Sequence, residues 1–290
     1  MNGMGILILG SSGQLAREFA RELTARQRPF EAPPEEECDV TNPEKLRAVA
    51  DRFSPGVILN CAAYNAVDAA EDNRETAFRI NHTAVEHLAR ICRTRGCLLV
   101  HFSTDYVFDG TKGGLYTEED EPNPLGVYGA SKLAGERAAL EETDRSLVFR
   151  LSWVFGEGPQ NFIHKLRQWA ETSPALKISA DEVSVPTSTA DVARVTLEAV
   201  ERGLTGLYHL TNSGYASRYE LARHVVDVLN LTNIVIPVPM STFPSKAQRP
   251  RFSAMSNRKI CATLGVQIRN WREAVDDFLT GSGSLRSSKR

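Results

Sequence analysis

The turn that follows the first apolar run constrains the fold of this 290-residue chain most strongly. Residues 5–9 have the length and apolarity of a buried strand, and Gly10-Ser-Ser-Gly13-Gln-Leu-Ala16 follows them directly. Glycines at such a turn let the backbone approach a pyrophosphate, whose charge then lies at the helix N-terminus. We therefore predict a nucleotide-binding strand, turn and helix at the start of the chain, with the helix ending near Arg26. The alternative is a structural turn that binds no ligand.

Apolar runs then alternate with amphipathic segments, which is typical of a parallel sheet covered by helices on both faces. The predicted strands are residues 56–63, 98–102, 147–152 and 206–210, with shorter ones at 175–178, 183–187 and 234–237. The predicted helices are 43–53, 73–95, 128–142, 190–202, 217–229 and 271–279, with another after Phe162 and a loop at 64–68. Residues 39–42, Ser188 or Thr189, and Ser217 are the expected N-caps of the helices that follow them. We expect an α/β fold with a Rossmann-type doubly wound parallel sheet and a smaller mixed α/β C-terminal domain.

The predicted domain boundaries follow from where this alternation becomes irregular. Residues 1–151 are expected to form the dinucleotide-binding domain. Residues 152–280 are expected to form mainly the substrate domain, with some segments returning to the first domain. The Gly- and Ser-rich residues 281–290 are expected to be a disordered tail.

Tyr128 and Lys132 lie four residues apart where a polar loop passes into a predicted helix, so both side chains share one face. A neighbouring ammonium favours a phenolate, and we expect Lys132 to lower the pKa of Tyr128 for proton exchange with an alcohol or ketone. Thr104 follows the strand at 98–102, and the carboxyl end of a parallel strand faces the ligand crevice. Thr104 is therefore predicted to bind the same oxygen as Tyr128. The alternative is a packed Tyr128 and a solvated Lys132.

The charge, the cysteine content and the apolar runs of the sequence limit the kinds of partner that we expect. The 34 basic and 36 acidic residues are mixed along the chain and leave a net charge of -2, so neither nucleic acid nor an anionic membrane is an expected partner. Five cysteines without Cys-x-x-Cys spacing indicate free thiols in a reducing cytoplasm, and no metal site is expected. No apolar run has the roughly 18 residues of a membrane helix, and no signal peptide is recognised.

Three motifs resemble those of the extended short-chain dehydrogenase/reductases. They are Gly10-x-x-Gly13-Gln-Leu15, Ser103-Thr-Asp-Tyr-Val-Phe-Asp-Gly110 and Asn123-Pro-Leu-x-Val-Tyr128-Gly-x-x-Lys132-Leu-Ala-Gly-Glu136. The last two are specific as a pair, and further matches extend over nearly the whole chain. Within this family the chain is most similar to reductases of 4-keto-6-deoxy sugars carried on a nucleoside diphosphate, which supply precursors of cell-surface polysaccharides.

The resemblance implies hydride transfer from NADPH or NADH to the C4 ketone of such a sugar. The catalytic residues that it implies are Thr104, Tyr128 and Lys132: Tyr128 protonates the forming alkoxide, and Lys132 holds the nicotinamide ribose. The implied cofactor contacts are Gly10, Ser12, Gly13, Gln14, Leu15, Asp39, Val40, Ala62, Ala63, Tyr64, Tyr128 and Lys132. The implied substrate contacts are Val67, Thr104, Asp105, Trp153, Asn161 and Arg249.

Several choices stay open at this point. Acidic residues 35–37 would repel a 2′-phosphate whereas Arg26 and Arg28 would attract one, so NADPH and NADH are both allowed. Binding of Mg²⁺ and the choice between monomer and homodimer are also open. The alternative functions are a non-catalytic NADP-binding regulatory subunit, like the partner of methionine adenosyltransferase, and a nucleotide-sugar epimerase. Glu182 and Ser184 stand where the family often has Gln and Gly, which bears on specificity.

Overall fold

A computed structural model describes residues 5–281 of the chain. The tail predicted to be disordered, residues 281–290, lies outside the described residues apart from Gly281. No helix within the described range is long and apolar enough to cross a membrane.

The strands are short, and most of them are buried. They are β1 Ile6–Leu9, β2 Phe30–Glu31, β3 Val57–Asn60, β4 Leu98–Thr104, β5 Ser146–Leu151, β6 Val154–Phe155, β7 Ala175–Ser179, β8 Val183–Ser184, β9 Thr187–Ser188, β10 Gly206–His209, β11 Ala216–Ser217 and β12 Ile234–Val238.

The helices flank these strands. They are α1 Gln14–Ala25, α2 Pro43–Phe53, α3 Val67–Asp72, α4 Arg74–Phe78, α5 Ala84–Arg95, α6 Val127–Glu142, α7 Phe162–Thr172, α8 Thr189–Glu201, α9 Arg218–Val228, α10 Arg258–Leu264 and α11 Trp271–Thr280. A π-helical turn, Arg79–Thr83, joins α4 to α5, and single 3-10 turns lie at Asp105–Val107 and Met240–Thr242.

The central sheet has six parallel strands in the order β10-β5-β4-β3-β1-β2. Every residue of β1, β3, β4 and β5 is buried, because helices cover both faces of the sheet. The chain leaves β1 toward β2 on one side and returns to β3 on the other, so the strand order reverses at β1. Ligands of such sheets bind outside the carboxyl ends of the strands at this reversal. The predicted Rossmann-type α/β fold is confirmed.

Residues beyond 151 contribute to two different cores. Strand β10 pairs with β5, and buried residues of α8 join the core around Phe19 of α1. A separate core contains Phe155, Ile163, Leu221 and Trp271, from β6, α7, α9 and α11. We propose that the substrate domain consists of those parts of residues 152–280 that pack into this second core.

Helix capping agrees with the sequence at several places, but one predicted helix is interrupted. Asn42, Ser188 and Ser217 cap α2, α8 and α9, and Ser217 forms a capping box with Glu220. The helix predicted over 73–95 is instead divided by the π-helical turn, and α3 occupies part of the predicted loop at 64–68. Helix α10 was not predicted, because its seven residues carry no capping side chain.

The interruption is explained by Asn81, which lies in the π-helical turn. Its side-chain oxygen accepts from the backbone N–H of Tyr64 at 2.8 Å, and its amide group donates to the Tyr64 carbonyl at 3.1 Å and to Ser131 Oγ at 3.0 Å. The wider turn therefore ties the loop after β3 to α6. Turns of this kind occur frequently at functional sites.

A buried ion pair fastens α6 to the sheet. Arg150 of β5 binds both carboxylate oxygens of Glu136, at 3.0 and 2.5 Å, and the two side chains are only 2% and 3% exposed. The guanidinium also lies 5.0 Å from the centre of the Phe108 ring. Removing one member of such a pair strands the other charge away from water.

We expect Glu136→Gln to lower the free energy of unfolding by about 3 kcal/mol, because Arg150 would then keep a buried charge without a counterion. Urea unfolding measures this change. The matched control is Glu198→Gln, which breaks a largely exposed ion pair with Arg202 on α8 and should cost at most about 0.5 kcal/mol. Similar losses in the two variants would contradict the expectation.

Candidate active site

The turn between β1 and α1 is pressed against the segment that follows β3. Gly10 has φ +75°, its carbonyl accepts from Gly13 N–H at 2.9 Å, and a Cβ at this position would lie 2.7 Å from the nitrogen of Ala62. Only glycine fits both the left-handed backbone and the small gap. Gly10, Gly13, Ala62 and Ala63 therefore share one end of the sheet, where β1 and β3 both end.

The first turn of α1 has the features of an anion-binding helix N-terminus. Gly13 is its N-cap, no side chain caps the free N–H groups, and no acidic residue lies in the first turn. The phosphate groups of a dinucleotide would satisfy these donors and interact favourably with the helix dipole. The residues present thus fit the diphosphate part of a nicotinamide cofactor.

Other predicted cofactor residues lie around this turn in different environments. Ser12 is exposed, whereas the Leu15 side chain is buried in the core beneath the turn. Gln14 donates to the Val154 carbonyl at 3.2 Å and so joins the turn to β6. Tyr64 is held through its backbone by the side chain of Asn81, as described above.

Asp39 and Val40 lie between β2 and α2. The Asp39 carboxylate accepts from the N–H and the hydroxyl of Thr41, at 2.8 and 2.7 Å, and these hydrogen bonds lower the pKa of Asp39. Val40 is half-buried against the core beneath β1 and β3. The carboxylate is therefore ionised at neutral pH, as an acceptor for ribose hydroxyls must be.

Gly10→Ala should lower the free energy of unfolding by about 3 kcal/mol, because the new methyl group both meets Ala62 and strains the backbone. The control is Gly96→Ala, since Gly96 has φ +70° but a Cβ there would have no described atom within 4 Å beyond its own helix and chain neighbours. The control isolates the conformational cost, about 1 kcal/mol. Urea unfolding of both variants measures the difference, and equal losses would refute a close approach at Gly10.

Tyr128 lies in the first turn of α6, over the carboxyl end of β4. Its hydroxyl donates to Asn65 Oδ1 at 3.5 Å, and its ring packs edge to face with Tyr106 at 5.7 Å. Partial burial of the side chain raises the pKa of Tyr128 to about 12, although hydrogen bonding with Thr104 opposes this rise. The phenol is therefore neutral at pH 7 and can donate a proton.

Lys132 is buried one turn further along α6, and its ammonium donates to the Phe102 carbonyl at 2.5 Å. Burial lowers the pKa of Lys132 to about 8, although Glu136 opposes the shift. The prediction that the pKa of Tyr128 is lowered is wrong for this structure, because desolvation of the phenol outweighs the opposing effects and raises the pKa. The shared face on α6, by contrast, is present.

The pKa of Lys132 predicts a pH-dependent stability. Below pH 8 the lysine is charged in both states and the fold bears the full cost of burying it. Between pH 8 and 10.5 only the unfolded chain holds the proton, so the wild type should gain stability relative to Lys132→Met as the pH rises. Urea midpoints from pH 7 to 10.5 test this, with Lys177→Met, an exposed position on β7, as the control. A constant difference between wild type and Lys132→Met would contradict the lowered pKa.

The Asp105 carboxylate is buried beside Thr104 and is bound by three hydroxyl groups. Its Oδ2 accepts from Ser184 at 2.7 Å and from Ser253 at 2.6 Å, and its Oδ1 accepts from Thr104 at 3.2 Å. Burial raises the pKa of Asp105, and these three hydrogen bonds oppose the rise. Both carboxylate oxygens of Asp105, which was predicted to contact the substrate, are therefore hydrogen-bonded to neighbouring side chains.

Trp153 lies next to an arginine that the sequence did not single out. The Arg218 guanidinium is 3.5 Å from the centre of the Trp153 ring and 3.7 Å from the Glu182 carboxylate. Trp153 has φ +39°, which is uncommon for a bulky side chain and marks a constrained position. Nothing in the sequence indicated this role, because Arg218 belongs to no motif and only follows the N-cap of α9.

Val67 lines a small cleft beside Tyr128, and Gln248 and Pro250, the chain neighbours of Arg249, line it too. Arg249 pairs with Asp68 of α3 at 2.7 Å, and the Ala247 N–H donates to the other oxygen of Asp68 at 3.1 Å. Val67 and Ala247 line the cleft together with Tyr106, Leu125, Gly126, Tyr128, Gly129 and Pro250. The segment around Arg249 is thereby held against α3.

Asn161 lies apart from Arg249, beside Gln14. Its oxygen caps α7 by accepting from His164 N–H at 3.0 Å, and its amide donates to the carbonyls of Gly156 and Gly158 at 2.8 and 3.1 Å. An acceptor group of a nucleotide could bind the Asn161 amide nitrogen only by replacing one of the bonds to Gly156 and Gly158.

Sequence reasoning missed Ser253 and Arg218 and noted Ser184 only as a departure from the family. Ser253 is 148 residues from Asp105 in the chain, and no spacing rule connects the two. The described part of the chain contains no group of three or more His, Cys, Asp or Glu side chains placed to hold a metal ion.

Comparison with known proteins agrees with this geometry. The family model described as RmlD substrate binding domain matches residues 4–283. A dTDP-4-dehydrorhamnose reductase from Burkholderia thailandensis is 35% identical over 289 residues, covering 94% of this chain and 97% of the relative.

Two solved structures have the same architecture throughout. The dTDP-4-dehydrorhamnose reductase of Clostridium acetobutylicum has a TM-score of 0.93 and 32% identity, covering 97% of this chain and all of that chain. The Bacillus anthracis reductase in complex with NADP also has a TM-score of 0.93, with 30% identity and coverage of 96% and 99%. The chain therefore belongs to the RmlD substrate binding domain family.

Proposed function

We propose that this chain is a dTDP-4-dehydrorhamnose reductase, which uses NADPH or NADH to reduce the C4 ketone of dTDP-4-dehydro-L-rhamnose to dTDP-L-rhamnose. The product is a nucleotide-sugar precursor of cell-surface polysaccharide. The observation that carries the proposal is the grouping of Thr104, Tyr128 and Lys132 around the carboxyl end of β4, in the same sheet whose β1 turn fits a dinucleotide. Membership of a family with reductases at 35% identity supports the same reaction.

The phenol of Tyr128 is the proton donor in this proposal. The cofactor supplies a hydride to the carbonyl carbon, and the carbonyl oxygen then requires a proton to become the alcohol. The pKa of Tyr128 lies well above 7, so its proton is present at neutral pH, as in an unperturbed tyrosine. Donors aimed at that oxygen stabilise the forming alkoxide more than the ketone, so Tyr128 and Thr104 both lower the barrier.

Lys132 would hold the nicotinamide ribose. Its bond to the Phe102 carbonyl fixes the ammonium beneath the crevice at the end of β4. A lysine with a pKa near 8 can also return a proton to the site after Tyr128 has donated one. In this proposal the Lys132 side chain therefore both binds the nicotinamide ribose and resupplies the proton that Tyr128 donates.

The substrate would lie between Tyr128 and the segment that carries Arg249. Val67 and Trp153 offer apolar surfaces for the deoxy sugar. Arg249 suits a diphosphate, since a guanidinium binds phosphate oxygens as a fork, and the substrate would then compete with Asp68 for it. Asp105 would affect the substrate indirectly, through the hydroxyl groups that are hydrogen-bonded to its carboxylate.

NADPH is the cofactor that we propose as preferred, because the Bacillus anthracis relative was solved with NADP. Arg26 and Arg28, which the sequence suggested as 2′-phosphate ligands, are both close to Glu201, at 3.8 and 3.3 Å. A phosphate would therefore have to displace that carboxylate. The cytoplasmic location stays a prediction, and the choice between monomer and homodimer and the binding of Mg²⁺ stay open.

The test is oxidation of NADPH and of NADH, followed by absorbance, with enzymatically generated dTDP-4-dehydro-L-rhamnose. We expect turnover by the wild type and at least a hundredfold lower kcat for Tyr128→Phe, because general acid catalysis contributes about 10²–10⁴-fold. Tyr208→Phe, in which the altered hydroxyl lies on β10 at the edge of the sheet, is the control and should keep its activity.

A loss of less than tenfold in Tyr128→Phe would refute the proposed proton donor. Cofactor binding without turnover of any keto sugar would favour the regulatory subunit instead. A cofactor retained through purification would favour an epimerase, since a reductase must exchange its cofactor at each turnover.

A further inference from the structure

We propose that Ser184 and Ser253 are positioning residues for catalysis: they hold the Asp105 carboxylate and so release the Thr104 hydroxyl to hydrogen-bond the carbonyl oxygen of the substrate. The inference rests on the proposed reductase function and deepens it. Three hydroxyl groups from β4, β8 and the segment before α10 converge on this one carboxylate. Ser184 and Ser253 reach it from the C-terminal part of the chain.

The three hydrogen bonds differ in length. Ser253 and Ser184 donate to Oδ2 of Asp105 at 2.6 and 2.7 Å, whereas Thr104 donates to Oδ1 at 3.2 Å. Strong bonds from a hydroxyl to a carboxylate are about 2.5–2.7 Å long. Thr104 is therefore the weakest of the three donors. All four side chains are at most 6% exposed, so bulk water does not replace them.

Proton counting shows why the two serines matter to Thr104. A threonine hydroxyl has one proton, and while that proton points at Asp105 it cannot be donated to a substrate. The Tyr106 N–H donates to Thr104 Oγ1 at 3.2 Å and holds the oxygen in place. The proton alone must rotate toward the substrate oxygen, and no covalent bond changes in this step.

The carboxylate can release Thr104 only if other donors satisfy it. A buried carboxylate that loses its hydrogen bonds is costly, and this cost would keep the Thr104 proton on Asp105. Ser184 and Ser253 supply two short bonds that remain when the threonine turns away. They therefore make the Thr104 hydroxyl available without contacting the substrate themselves.

Both serines are themselves held in place. The Ser253 N–H donates to the Val183 carbonyl at 2.9 Å, and Ser184 Oγ lies 2.7 Å from Ser152 Oγ. Ser152 Oγ in turn accepts from the Val185 N–H at 3.0 Å, so its single proton is left to be donated to Ser184. The two donors are thus anchored to backbone of the segment around β8.

The test is a double-mutant cycle on kcat and KM with NADPH and dTDP-4-dehydro-L-rhamnose. Ser184→Ala/Ser253→Ala should lower kcat about tenfold and leave KM within about twofold, because the lost interaction acts at the reacting oxygen. Thr104→Val should lower kcat by at least as much. In the Thr104→Val background the serine substitutions should lower kcat no further, since there is no hydroxyl left to release.

Thr196→Val controls for loss of a buried hydroxyl. Thr196 lies on α8, and its hydroxyl has no hydrogen-bond partner among the described residues, so kcat and KM should not change. Equal fold losses from the serine substitutions in both backgrounds would show a merely structural role and overturn the proposal. A raised KM at constant kcat would also overturn it.

The same cycle on urea unfolding tests the network without substrate. Thr104→Val should shift the urea midpoint further in the Ser184→Ala/Ser253→Ala background, where Asp105 would lose its last side-chain donor. Equal shifts in both backgrounds would overturn the hydrogen-bond network. Unequal shifts together with an inactive wild type would support the network and overturn only the reductase.

Discussion

Two buried cations hold α6 against the sheet, and the geometry of the active site depends on them. Lys132 donates to the carbonyl of Phe102 in β4, and Arg150 of β5 pairs with Glu136 of α6. Neither cation can leave its partner without being stranded in the interior. The first turn of α6 therefore has one position relative to β4, and Tyr128 lies on that turn.

Burial also shifts the pKa values of the two groups on which the proposed chemistry relies. It raises the pKa of Tyr128 and lowers that of Lys132, so a neutral phenol lies near a lysine that releases its proton readily. Reduction of a ketone needs a proton donor at the carbonyl oxygen, and a phenol that is protonated at neutral pH can be that donor. The expected phenolate, which would suit the reverse oxidation, is not what this environment favours.

Much of the fold and part of the site could be predicted because their signals are local. Apolar runs marked the buried strands, and Ser188 and Ser217 marked helix starts. Tyr128 and Lys132 were found through helical spacing, and Thr104 through its place at a strand end. The division of the helix over 73–95 was missed, because it depends on Asn81 binding backbone 17 residues earlier.

The order of residues along the chain was enough to predict the buried strands, the glycine turn and the shared face of Tyr128 and Lys132, since each depends on residues close together in sequence. Tertiary packing decided the rest of the site. The pairing of Arg218 with Trp153, and the convergence of Ser184 and Ser253 on Asp105, join segments 65 to 148 residues apart. Such contacts carry no periodic pattern, because what brings them together is the packing of the second core against the sheet.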